Sequence, residues 1–179
     1  MKLTPRARLL IPALVAGLTL PLTTATPASA QSAFATRIGG QVAVSGLPGE
    51  ANTIVLFGLG PLNAIDLAIA DTNEGVVAGP GCTQFSPAVA RCGRWSTVSR
   101  ITVRLGDQDD TYFHDIGAVF PATVDPGAGS DDIFAGPRGD TISARDGAVD
   151  EIDCGGGFDV VTADPADVVA ANCELVRRA

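Results

Sequence analysis

"GAGSDDIFAGPRGDTISARDGAVDEIDCGGGFDVVTADPADVV" runs from Gly127 to Val169, and its spacing decides how the chain is read. An aspartate stands at 131, 140, 150, 159 and 167. Each is followed two places later by a branched aliphatic: Ile133, Ile142, Ile152, Val161 and Val169. Laid on a nine-residue frame, with glycine second and fourth, aspartate sixth and an aliphatic eighth, "PGAGSDDIF" (126–134) fits through Gly127, Gly129, Asp131 and Ile133. "CGGGFDVVT" (154–162) fits through Gly155, Gly157, Asp159 and Val161. "AGPRGDTIS" (135–143) keeps Gly136, Asp140 and Ile142 but carries Arg138 at the second glycine place. "ARDGAVDEID" (144–153) is one residue long and keeps Asp150, whereas "ADPADVVA" (163–170) is one short and keeps Asp167. Upstream, "LGDQDDTYF" (105–113) preserves Gly106, Asp110 and Tyr112.

Internal repeats of this kind mark solenoid architectures. A strand of about three residues sends the aliphatic inward onto its equivalents in neighbouring turns. The other six residues bring the chain back, and glycine there tolerates positive φ and leaves carbonyl oxygens accessible. Those carbonyls and the aspartates are hard oxygen donors, which suit Ca²⁺ with its 6–8 ligands at about 2.3–2.6 Å better than the smaller, more rigid Mg²⁺ shell.

The surrounding chain agrees with an all-β class. "QVAVSG", "TIVLFG", "IDLAIA", "GVVAG" and "STVSRITVRLG" read as short strands bounded by turn residues. The one helical candidate, "PADVVAANCELVRR" (165–178), is weakened by Pro165 and its β-branched run. The first thirty residues carry Lys2, Arg6 and Arg8, then an apolar run ending in "ATPASA". They read as a signal peptide cleaved after Ala30, leaving a secreted, extracellular chain with no membrane span. Four cysteines in an exported protein imply two disulfides. Three pairings are open, and Cys82–Cys92 with Cys154–Cys173 close the shortest loops. A zinc site is disfavoured, because there is no CxxC and His114 is the only histidine.

Charge is unevenly divided. Residues 31–104 hold four acids and five arginines, whereas residues 105–179 hold sixteen acids against four arginines. Such a surface repels phosphates, so nucleic acid is excluded as a partner and a hard cation is favoured. The organisation expected is a leader (1–30), a short-stranded β region with a disulfide loop (31–99), and the acidic repeat region (100–179).

The repeat resembles the RTX, or hemolysin-type, calcium-binding nonapeptide, and the wider chain is similar to small exported actinobacterial proteins with degenerate copies of it. The resemblance implies a parallel β-roll, or β-solenoid, in the C-terminal half, continuing from the N-terminal β region. It implies Ca²⁺ held between turns by Asp131, Asp140, Asp150, Asp159, Asp110 and Asp167, with turn carbonyls contributed around Gly127, Gly129, Gly136, Gly155 and Gly157. Alternate repeats face alternate sides, so Asp131 would share a side with Asp150, and Asp140 with Asp159. Ala122 stands where one further aspartate belongs, and that turn is expected to hold no ion. Asp107, Asp109, Asp132 and Asp153 are expected to be solvated turn charges.

The leading expectation is therefore a non-enzymatic exported protein that binds roughly one to three Ca²⁺ ions in the ~0.1–1 mM range of extracellular modules. It would serve as a surface, matrix or interaction module. A polysaccharide hydrolase or lyase is the rival, with Asp109/Asp110 or Asp131/Asp132 as acid and base, but neighbouring strand residues face opposite ways. The third possibility is a disulfide-stapled structural domain that needs no ion. Trp95, the only tryptophan, is expected to pack rather than bind.

Overall fold

The structure is a computed structural model that describes residues 33–115, 117 and 119–178; the expected leader and its cleavage site lie outside them. The described chain is all-β, with one 3-10 turn (Trp95–Thr97) and no α-helix. The first strands are β1 (Ala33–Ile38), β2 (Gln41–Gly46), β3 (Thr53–Leu59), β4 (Asp66–Asp71), β5 (Val76–Ala78), β6 (Thr83–Ser86) and β7 (Val89–Arg94). There follow β8 (Arg100–Asp107), β9 (Thr111–His114), β10 (Ala122–Ala128), β11 (Asp132–Phe134) and β12 (Thr141–Ala144). The last are β13 (Glu151–Asp153), β14 (Val160–Ala163), β15 (Val168–Val169) and β16 (Leu175–Arg178).

These strands form two mixed eight-stranded sheets. Their orders are β16-β14-β12-β10-β8-β2-β1-β5 and β15-β13-β11-β9-β3-β4-β7-β6. From β8 onward, consecutive strands alternate between the sheets and every pairing is parallel. One circuit of chain thus lays a strand in the first sheet, turns, lays one in the second, and returns. The compositional shift near Arg100 leaves no seam in this pairing, because β2 pairs in parallel with β8 and β3 with β9. Antiparallel strands β1, β4, β6 and β7 cover the N-terminal end, with β5 parallel to β1. Gln84 on β6 then ties the edge of β5: its Oε1 accepts from Ala78 N–H and its Nε2 donates to Val76 O. Satisfying an edge strand in this way removes a template for further pairing.

The eighth-place aliphatics do stack. Val44, Val103, Val124, Ile142 and Val161 stand in register across the first sheet, and Ile54, Tyr112, Ile133, Ile152 and Val169 across the second. All but the half-buried Val169 are removed from solvent. Each such side chain contributes about 1.5–3 kcal/mol on burial, so the periodic aliphatic is the main cohesive force between circuits.

Both disulfides form as the shortest-loop pairing has it, Cys82–Cys92 across the β6–β7 hairpin and Cys154–Cys173 across the last two circuits. Two local readings change. "STVSRITVRLG" is one strand only from Arg100, because Trp95–Thr97 turns the chain first. The helical candidate 165–178 is instead β15, a turn and β16, since pairing with β13 and β14 overrides local propensity.

Candidate functional site

The aspartates lie along the two edges where the chain crosses between sheets. On the first edge, reached from the first sheet, Asp110, Asp131, Asp150 and Asp167 line up in successive circuits. On the second edge the succession is Ala122, Asp140, Asp159 and Glu174. All six expected aspartates are buried, at 5 % exposure or less.

Each carboxylate reaches back one circuit to a backbone N–H. On the first edge Asp110 Oδ1 accepts from Asn52 N–H (2.6 Å), Asp131 Oδ1 from Asp110 N–H (2.8 Å), Asp150 Oδ1 from Asp131 N–H (2.9 Å) and Asp167 Oδ1 from Asp150 N–H (3.2 Å). On the second, Asp140 Oδ1 accepts from Ala122 N–H (2.6 Å), Asp159 Oδ1 from Asp140 N–H (2.6 Å) and Glu174 Oε2 from Asp159 N–H (2.9 Å). Asp131 thus shares an edge with Asp150, and Asp140 with Asp159. A hydrogen bond to an ionised acceptor contributes about 1.5–3 kcal/mol, so half of each aspartate is occupied in holding circuits together.

The other oxygen differs from one aspartate to the next. Asp140 Oδ2 accepts from Gly136 N–H (2.9 Å) and Asp167 Oδ2 from Asp164 N–H (2.6 Å). The Oδ2 atoms of Asp110, Asp131 and Asp150 on the first edge, and of Asp159 on the second, are buried without a partner among the described residues. An unpartnered buried oxygen costs about 1–3 kcal/mol, and more when it is charged. Burial accordingly pushes Asp110, Asp131, Asp140 and Asp150 up to about 6 and raises Asp159 as well, with neighbouring carboxylates adding to the shift.

The glycines are fixed by the stacking of turns. Gly129 has φ +147, and a Cβ there would stand 1.9 Å from Gln108 O. Gly157, at φ +127, would meet Arg138 C and Gly139 N at 2.5 Å. Gly127 and Gly155 also have positive φ and lie against backbone of the preceding circuit, whereas Gly136 makes room for the His114 ring. These positions accommodate backbone approach whether or not an ion is bound.

Three of the four aspartates expected to be solvated turn charges also hold backbone N–H groups. Asp107 accepts from Gly49 N–H, Asp109 from Ser130 N–H, and Asp153 from Gly155 N–H and the Asn172 amide. Asp132 is exposed. Both proposed acid–base pairs are split: Asp110 and Asp131 point inward while Asp109 and Asp132 face solvent. Sequence reasoning missed the ladder ends, Asn52 and Glu174. Their signal is the same as that of the aspartates, a polar residue two places before an inward aliphatic, as in Asn52–Ile54 and Glu174–Val176.

The donor chemistry fits Ca²⁺ in kind: hard, buried, anionic oxygens with an open valence. Among the described residues no three His, Cys, Asp or Glu side chains converge on a point, so any cation here would draw most of its ligands from turn carbonyls. No family model, no curated protein and no solved structure matches the chain. Among the described residues no helix is long and apolar enough to cross a membrane.

Proposed function

We propose that this is an exported, non-enzymatic β-roll that binds Ca²⁺ along its aspartate edges and is stiffened by it, acting as a surface, matrix or interaction module. The alternation of consecutive strands between two sheets, with parallel pairing from circuit to circuit, supports the β-roll. Two disulfides and a signal-like start support export. The observation that carries the cation is the run of buried carboxylate oxygens without partners on Asp110, Asp131 and Asp150, at equivalent places in successive circuits. A cation bound there relieves like-charge repulsion and desolvation together, so its binding free energy becomes folding free energy. Asp110, Asp131, Asp150 and Asp159 would supply the side-chain oxygens, with turn carbonyls completing the shell.

The test is a circular-dichroism melt of residues 31–179 titrated with CaCl₂, with MgCl₂ and NaCl as controls. Sub-millimolar to millimolar Ca²⁺ raises the melting temperature, and Asp131→Asn with Asp159→Asn abolishes the rise. If neither divalent ion exceeds NaCl at equal ionic strength, the calcium reading is lost. A second reading then stands on its own observation. Every ladder aspartate already serves backbone N–H groups, and the chain is an ion-independent scaffold.

A further inference from the structure

A cleft of about 450 Å³ lies at the N-terminal part of the second edge, outside both carboxylate ladders, and is lined by Leu62, Asn63, Arg94, Trp95, Ser96 and Asp115. We propose that it binds a neutral sugar residue. The volume is that of a small-molecule site, and the lining suits a sugar: an apolar wall of Trp95 and the exposed Leu62, ringed by planar groups that pair with adjacent hydroxyls.

The Trp95 part of that wall is rigid and mostly covered. Trp95 is 8 % exposed, and its six-membered ring rests on Gly58, where a Cβ would stand only 2.7 Å from the ring. Gly117 lies against the same ring, and Phe120 meets it edge-on with centroids 5.8 Å apart. Trp95 therefore packs, as expected, while also contributing to the wall of a cleft. At the rim Leu62 is 95 % exposed, an isolated apolar side chain with nothing yet to cover.

The polar groups are only partly used. Arg94 faces Asp66 through Nε (3.7 Å) and reaches Asn63 O through Nη1 (3.4 Å), which leaves Nη2 without a partner among the described residues. Asp115 Oδ1 accepts from Gly117 N–H (2.9 Å), and its second oxygen has no partner among the described residues. Among the described residues nothing hydrogen-bonds the Asn63 side-chain amide or the Ser96 hydroxyl. Donors and acceptors thus surround an apolar wall, and a sugar hydroxyl satisfies both kinds. Other ligand classes fit less well. The single cation is already shared with Asp66, which disfavours phosphate, and one carboxylate is too few for a metal ion. A hydrocarbon would strand the polar rim.

Trp95 is the only tryptophan, so its emission reports on this cleft alone. The experiment titrates the full mature chain with glucose, galactose, mannose, N-acetylglucosamine and their disaccharides, with sodium phosphate and free amino acids as controls. The expected result is a saturable emission change with at least one sugar. Arg94→Ala and Asp115→Asn weaken it at least about tenfold, Leu62→Ala severalfold, and the distant Asp146→Asn not at all. Should Arg94→Ala fail to fold, Leu62→Ala and Ser96→Ala at the rim serve in its place. The proposal is overturned if no sugar gives a saturable change, if the lining variants leave the response intact, or if only phosphate or amino acids saturate it. Repeating the titration in EDTA separates this site from the calcium edges, because sugar binding should persist when they are stripped.

Discussion

The two edges of the molecule use the same residue for different ends. On the second edge Asp140 spends both oxygens on backbone, Asp159 is followed by Glu174, and the Cys154–Cys173 bridge fastens the last circuits. On the first edge three successive aspartates keep an oxygen in reserve, with Asp107, Asp109, Asp146 and Asp164 crowding the same turns. The second edge keeps a single open oxygen, on Asp159, between an Asp140 whose oxygens are both used and the Glu174 end. The first stores unbalanced charge, which a cation or a proton can discharge. A repeat motif does not determine its own role; the partner left for its second oxygen does.

The largest test of this contrast asks whether turn geometry, rather than charge, holds both edges. Gly129→Ala on the first edge and Gly157→Ala on the second each drive a Cβ into the preceding circuit. Each is expected to cost roughly 3 kcal/mol or more in a denaturant titration. Gly147→Ala, with φ +98 but nothing within 4 Å, should cost only the left-handed strain of about 1–2 kcal/mol. Next, replacing Cys154 and Cys173 with serine opens the second edge. A bridge of sequence separation 19 contributes about 3 kcal/mol in the chain-entropy picture, and thermal unfolding of the variant measures it.

Smaller, and more discriminating, is a pair of isosteric changes. Asp140→Asn turns an amide toward one of its two N–H donors and is expected to destabilise by about 1–3 kcal/mol. Asp131→Asn keeps the Oδ1 acceptor and removes a buried charge, so in EDTA near about pH 7.5 its stability should stay within about 1 kcal/mol of the parent. Equal losses at the two positions would erase the distinction between the edges.

A further contrast is set by pH. Asp110, Asp131, Asp140 and Asp150 hold protons up to about 6 when folded, against an ordinary 3.8. Their contribution is full below 3.8 and lost as pH rises through about 6. His114 opposes them. Burial lowers it from 6.5 to about 4, so its contribution is full above 6.5 and lost as pH falls through 4. Four carboxylates outweigh one imidazole, and the melting temperature in EDTA should rise between about pH 7.5 and about pH 5. The same acidification should shrink any gain from Ca²⁺, because proton and cation act on the same oxygens.

Much of this architecture was legible in the sequence, and for a physical reason. The interval between aliphatics brings equivalent side chains together in neighbouring circuits, so Ile133, Ile142, Ile152 and Val161 announced a stacked interior. The pairing of Asp131 with Asp150 and of Asp140 with Asp159 came instead from the resemblance to the nonapeptide repeat, in which alternate repeats face alternate sides. What sequence could not supply was the destination of each carboxylate oxygen. Aspartate before a strand reads identically whether it binds a backbone N–H, an ion or both. Nor did local propensity foretell β15 and β16, whose neighbours in space lie fifteen to seventeen positions earlier along the chain. Trp95 was likewise legible as a packing residue but not as a cleft wall, since the cleft is assembled from β3, β7 and the turn after β9.

Both inner ladders run in one direction. Asn52, Asp110, Asp131, Asp150, Ala122, Asp140 and Asp159 all donate N–H to a carboxylate that lies later in the chain. For a polypeptide that emerges N-terminus first, every newly laid circuit is therefore unsealed until the next has followed. The stack closes in order of synthesis, like a zip with one slider, and its last tooth is Glu174, immediately after the cysteine that locks it.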